Sequence, residues 1–364
     1  MTTEEYYNTQ GKEAACKGDY RSAIENYIKA IKINPNFAIE NYTKAIEDNP
    51  SSAITYYFRA RAKSELSDYR GAIDDYGKAI EINPNTEDTY YYRADAKSEL
   101  FDYRGAIDDY NKFIEINSNF AEAYYLRARA KSELSDYRGA IDDYSRAIEI
   151  NPNLIKAYYF RATAKHELSD YHGEIGDWNK VIEIDPNVEG AYYCRAEARF
   201  QLSDYKGTIE DSNKLIAIDT DNADAYCFRG AAKCELSDYR EAIKDLNRAI
   251  AIKPNYVAAY NYRGYAKVKL SDYHGAIKDY SSAIAIEPNK IKSYYWRGFA
   301  KSELSDYYGA IEDFNKIIEI DSFIAEQLKV HELIQKLKET IENKRGRGLT
   351  NWDKLFIWSQ LFRP

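Results

Sequence analysis

Four side chains of this sequence belong to the soft, metal-ligating class and fall in neighbouring segments: His166, Cys194, Cys227 and Cys234. Imidazole nitrogen and thiolate sulfur hold zinc in a tetrahedral shell, and structural sites pair their cysteines roughly two to four residues apart. These cysteines, with Cys16 far upstream, match no such motif, and their number is too small for a disulfide framework. The expectation is no metal site, with the thiols filling small apolar spaces. His172, His274 and His331 are scattered, and there is no glycine-rich phosphate loop, nucleophile elbow or paired acid and base. No catalytic residue and no cofactor are expected, so the chain reads as a non-enzyme.

A second pattern carries charge. Arg59, Arg93, Arg127, Arg161, Arg195, Arg229, Arg263 and Arg297 recur every 34 residues, and so do Asp75, Asp109, Asp143, Asp177, Asp211, Asp245, Asp279 and Asp313. Where the arginine is missing, as at Gln10, the acid is missing too: Asn26 and Asn41 stand at its place. A planar guanidinium gripped by a carboxylate can be half-buried between helices, whereas either charge alone there costs several kcal/mol. The one-to-one matching predicts structural Arg–Asp pairs, above all Arg93 with Asp109, Arg127 with Asp143 and Arg161 with Asp177. The competing reading, arginines lining a groove for acidic ligands, leaves the matched aspartates unexplained.

A third pattern is aromatic. Tyr57, Tyr91, Tyr125, Tyr159, Tyr193 and Tyr295 keep the same interval, with Cys227 and Asn261 in the two gaps, in a chain holding 36 tyrosines. Four residues on from each stands a variable position: Arg61, Asp95, Arg129, Thr163, Glu197, Ala231, Tyr265 and Phe299. Tyrosine offers a wide apolar face and a hydroxyl with little rotamer entropy to lose, which suits a binding surface. The same residues could instead pack between neighbouring helices and show only their hydroxyls.

The elements that must position these residues follow from the period. Pro84, Pro152, Pro186, Pro254 and Pro288 share one 34-residue grid with Ser118, Thr220 and Ser322, and the tyrosines Tyr69 to Tyr307 of the SDY or FDY triplets keep it without a slip. Eight regular units run over 53–86, 87–120, 121–154, 155–188, 189–222, 223–256, 257–290 and 291–324, with a divergent one at 4–37. Within 121–154, Tyr124 and Ala128, then Tyr137, Ala140, Ile141, Tyr144, Ala147 and Ile148, fall at helical spacing. Asp136 can cap the second helix, and Asn151-Pro152-Asn153 stops it. One unit has lost its first helix, because AIENYIKAIKIN at 23–34 recurs as AIENYTKAIEDN at 38–49.

The period, the aromatic at unit position 4, the small residue at 8, Tyr at 17, Ala at 20, the aromatic at 24 and Pro at 32 resemble the tetratricopeptide repeat family, in its bacterial-type multi-repeat form, over residues 4–324. The resemblance implies an all-α, right-handed superhelical solenoid of helix-turn-helix repeats. Its expected parts are an N-terminal cap at 1–52, the regular array at 53–324, a capping helix at 325–343 and a basic link with an aromatic tail at 344–364. It also implies that positions 2, 5, 9, 12 and 13 of first helices face a ligand groove, so Tyr57, Tyr91, Tyr125, Tyr159, Tyr193, Tyr295, Arg61 and Arg129 are the candidate groove residues. The family's clamp for a C-terminal carboxylate has no matching set of three repeats here, so a different ligand is expected. Position 7 is arginine where the family carries leucine.

Composition sets limits on partners. The chain is 45% hydrophobic and 30% charged, with a net charge of −8 from interleaved signs, which leaves no basic stripe for nucleic acid. No segment approaches the roughly 20 apolar residues of a membrane span, and residues 1–20 lack a leader pattern, so a cytoplasmic location is the expectation. Val330, Ile334, Leu337 and Ile341 mark an amphipathic helix over 325–341. The tail NWDKLFIWSQLF is apolar all round and needs cover from the array, a partner or a membrane surface reached through Trp352, Phe356 and Trp358. The reading is a non-catalytic scaffold or adaptor that binds a protein or peptide segment; the alternative is a membrane-peripheral assembly factor acting through the tail.

Overall fold

The computed structural model describes residues 2–17 and 19–346. These form 21 α-helices and, among the described residues, no strand. They fall into two compact units, 1–184 and 185–364. The first holds α1 (Thr3–Cys16), α2 (Tyr20–Ile33), α3 (Pro35–Asp48), α4 (Ala53–Glu65), α5 (Tyr69–Ile82), α6 (Glu87–Glu99), α7 (Tyr103–Ile116), α8 (Ala121–Glu133), α9 (Tyr137–Ile150), α10 (Ile155–Glu167) and α11 (Tyr171–Ile184). The second holds α12 (Glu189–Gln201), α13 (Tyr205–Ile218), α14 (Ala223–Glu235), α15 (Tyr239–Ile252), α16 (Val257–Lys269), α17 (Tyr273–Ile286), α18 (Ile291–Glu303), α19 (Tyr307–Ile320), α20 (Ser322–Gln327) and α21 (Val330–Gly346). From α4 to α19 each regular repeat is one helix pair.

The turn inside a pair is chemically specified. After α8, Ser135 adopts a left-handed conformation at φ 61°, the Asp136 N–H donates to Lys131 O, and the Ser135 N–H donates to Ser132 O. These two bonds close the helix end in the manner of a Schellman motif, with serine where glycine is usual. Asp136 then caps α9 by accepting from the Gly139 N–H at 3.0 Å. A β-carbon on Gly139 would lie 2.3 Å from that carboxylate, which is why glycine recurs there. Where Glu241 replaces it, Asp238 makes no side-chain cap bond.

Phe101 breaks this turn's pattern. It sits at φ 61° where seven other turns place serine, and its side chain is 77% exposed. A bulky side chain in the left-handed region costs roughly 1–2 kcal/mol with no burial here to offset it. Phe101→Gly is therefore expected to raise the stability of its helix pair by about 1 kcal/mol, read as slower amide exchange in α6 and α7; unchanged or faster exchange would show that the phenyl ring contributes packing that its exposure conceals.

Small residues set the packing of each pair. Ala60, Ala72 and Ala79 are buried and bring α4 close to α5, with Tyr76 wholly buried between them. At the N-terminus, α3 packs on α4 as a second helix would, joining Tyr42 and Ile39 to Tyr57 and Phe58, while α2 contributes Tyr27 and Ile31 to the same cluster. The segment after the last pair differs from the single helix expected over 325–341. Lys329 takes φ 52° and divides it into α20 and α21, turning Val330, Ile334 and Leu337 onto Phe314 and Ile317 of α19. The aromatic tail over 349–364, with Trp352, Phe356 and Trp358, lies outside the described residues.

Candidate functional site

The charged ladder forms first, because residues 16 apart on the two helices of a pair face one another. Arg127 donates from Nε and Nη2 to both oxygens of Asp143, at 2.8 and 2.5 Å, and the side chains are only 15% and 7% exposed. Arg93 meets Asp109 at 2.8 and 2.6 Å, and Arg161 meets Asp177 at 3.0 and 2.5 Å. A third member that the spacing of Arg and Asp alone did not disclose joins each pair. Lys131, one turn after Arg127, places Nζ 2.7 Å from Asp143 and also donates to the Gly139 carbonyl. Arg199 takes the equivalent place beside Asp211.

The remaining guanidinium nitrogen reaches the preceding repeat. Arg127 Nη1 donates to Asn111 Oδ1 at 2.7 Å and Arg161 Nη1 to Ser145 Oγ at 2.9 Å. Arg229 and Arg263 do the same with Asn213 and Asn247. Each of these guanidiniums also lies 5.3–5.6 Å from the ring of the tyrosine three residues earlier. With donors committed to a carboxylate within the repeat and an amide or hydroxyl in its neighbour, these arginines hold helices together and offer little to a ligand.

The tyrosine ladder is corrected by its burial. Tyr57, Tyr125 and Tyr295 are only 7%, 4% and 8% exposed, so they present no face to a partner. Tyr125 lies against Tyr144 and Phe160, and Tyr57 against Tyr76 and Tyr92. Tyr91, Tyr159 and Tyr193 are half-buried, with Tyr159 edge-on to Trp178 at 4.9 Å. The cause is steric: position 5 lies beside the next pair's aromatic at position 6, and the two rings close on each other.

What the first helices do present is a cavity of about 650 Å³ in the first unit, lined from α4, α5, α6, α7 and α8. Arg61 and Asp95, both from the variable position 9, stand in its wall, and Arg129 stands beside them. The Arg61 guanidinium lies 3.7 Å from the centre of the Tyr92 ring and donates to the Tyr57 hydroxyl at 3.2 Å. Among the described residues no carboxylate pairs with it. Asp95 accepts a 2.6 Å hydrogen bond from the Tyr110 hydroxyl and likewise has no ion-pair partner among the described residues.

Burial pushes the Asp95 carboxyl up to about 6, against the Tyr110 hydrogen bond and Arg61, which lower it, while Glu122 and Glu99 add to the rise. Arg129 is exposed and lies 5.4 Å from the Phe160 ring. Glu122 on the cavity wall is tied to Lys156 at 2.6 Å. Asp95 was visible in the sequence as the one acid between two arginines at position 9. Its desolvation was not, because that depends on Tyr91, Tyr92 and Tyr110 converging from two helices.

The soft ligands do not assemble. Cys227 and Cys234 are buried and Cys194 half-buried, all as free thiols, and among the described residues no three metal-ligating side chains converge. Burial pushes the Cys227 thiol up to about 12, away from the thiolate a metal requires. His166 instead makes a 3.0 Å contact to Glu174, which also accepts from the Trp178 indole. No helix among the described residues is long and apolar enough to cross a membrane.

An all-α array of 34-residue helix pairs, bonded repeat to repeat and presenting an aromatic cavity with unneutralised charges, is of the class of helical-repeat interaction scaffolds. The family models agree: "tetratricopeptide repeat" models match residues 4–37, 53–86, 121–154 and 291–323, and a "TPR repeat" model matches 230–271 and 264–305. The chain belongs to the tetratricopeptide repeat family. Among solved structures it is similar to the MamA protein, at 27% identity over 47% of this chain and 94% of that one, with a TM-score of 0.42. Yeast Tom70 matches at 14% identity over 94% and 97%, with a TM-score of 0.47. YrrB, described as a TPR protein with an unusual peptide-binding site, matches at 21% identity over 61% and 96%, with a TM-score of 0.39. No curated protein matches the sequence.

Proposed function

We propose that this chain is a non-catalytic scaffold or adaptor that binds an extended protein segment on the first-helix face of its regular repeats, centred on the cavity between α4 and α8. The observation that carries this reading is the pairing of an open cavity with two charges, Arg61 and Asp95, that have no ion-pair partner among the described residues. A structural charge in this chain is neutralised, as the eight arginines at position 7 are. A half-buried charge without a counter-ion is a cost to folding, retained where an occupant supplies the partner.

The test uses exposed residues of the same face, so that loss of binding is not loss of fold. Peptides selected from a random display library on the full-length protein are expected to lose about tenfold or more in affinity for a Glu133→Arg, Thr163→Arg variant of unchanged helix content. Peptides that bind the variant equally well, or that bind only through residues 349–364, would move the interaction off this face.

A further inference from the structure

We propose that the cavity around Asp95 is a socket for the side chain of a lysine or arginine carried by the bound segment. This rests on the peptide-binding reading above and gives it a chemical specificity.

Two independent features of one repeat converge there. Asp95 is the only aspartate at position 9, where the flanking repeats carry Arg61 and Arg129. It is not required as a partner for Tyr110, since Tyr76 and Tyr144 occupy the same position in the flanking repeats without a carboxylate at position 9. Phe101 lines the same cavity from a left-handed turn position where every other such turn has serine. It is exposed and meets the fold through an edge contact with the Tyr103 ring at 6.2 Å, which offsets little of its strain. In an array of near-identical units, one departure that carries charge and one that carries strain meet at this cavity.

The occupant's sign follows from the lining. Five carboxylates, Glu65, Asp95, Glu99, Glu122 and Glu133, stand against two guanidiniums, Arg61 and Arg129, and among the described residues only Glu122 of the five has an ion-pair partner, Lys156. The walls are aromatic, with Tyr91, Tyr92 and Phe101 around the acid. A carboxylate ringed by aromatic faces suits an ammonium or guanidinium, which takes the ion pair and the ring quadrupoles together. Arg61 donates one N–H to the Tyr57 hydroxyl, and its guanidinium carries further donors that suit the carbonyls of the same segment. The groups facing Asp95 are Arg61 from α4, Tyr110 from α7, Glu122 from α8 and Tyr91 and Glu99 from its own helix.

A positional-scanning library of capped peptides about nine residues long, roughly 30 Å extended, tests this on the full-length protein. Lysine or arginine is expected at one position, the lysine peptide binding about tenfold or more tighter than its Nε-acetyl-lysine twin. Asp95→Asn, which keeps an acceptor for Tyr110, should erase that difference. The preference should also strengthen as pH rises through about 6, where the free carboxyl ionises. Peptides bound with no basic preference, or a preference that survives Asp95→Asn, would overturn the socket while leaving the peptide-binding face intact. If no peptide of any composition is bound, both readings fall.

Discussion

Replacing Asp143 with alanine is expected to lower the stability of its repeat by about 3–5 kcal/mol, and more than replacing Arg127 and Asp143 together with leucine. The aspartate is the hub of a three-residue cluster: it accepts twice from Arg127 and once from Lys131 while only 7% exposed. Its loss leaves two cations, Arg127 and Lys131, one turn apart on α8 with no counter-ion from α9. The double substitution removes the more buried cation with the acid, and Lys131 still keeps the Gly139 carbonyl at 3.3 Å. Arg127 also reaches Asn111, so the double variant gives up one bond to the preceding repeat, worth about 1 kcal/mol, and should fall between wild type and Asp143→Ala. Urea denaturation midpoints of the three proteins decide it. A double variant less stable than the single one would mean that the salt bridge contributes net stability beyond neutralising a buried charge.

The same geometry explains what could be foreseen. A helix pair with a fixed turn holds residues 16 apart face to face, so matched Arg and Asp ladders imply contact from spacing alone. The lysine at position 11 was equally periodic, yet lysines on helix surfaces are ordinarily solvated, and its inward reach depends on the carboxylate being almost closed off from water. The position-5 tyrosines show the opposite failure. Their identity suits a binding surface, but the burial of Tyr57 and Tyr125 depends on which rotamers the neighbouring rings adopt, and no single repeat encodes that. The break at Lys329 carries no local signal, since neither glycine nor proline marks it; burial of Val330 against α19 dictates the turn.

Asp95→Asn is expected to make the protein more stable near pH 8 by about 3 kcal/mol and to leave it unchanged near pH 3. The sign follows from proton counting. The folded carboxyl titrates at about 6 and the unfolded one at its ordinary value of 3.8, so between these the folded chain holds the extra proton. Stability therefore falls as pH rises through that window, and the deficit persists above it. Asparagine cannot ionise and removes the deficit, while its amide can still accept from the Tyr110 hydroxyl. Amide exchange in α6 and α7, followed at both pH values, isolates the effect to the repeat where it belongs, because a repeat array is held together by nearest neighbours. An equal gain at both pH values would assign it to packing instead of charge. A variant that is sturdier at neutral pH yet blind to lysine peptides would show why the acid is kept: its ionisation opposes folding, Arg61 and Tyr110 offset that cost in part, and a cation arriving from outside the chain offsets the rest.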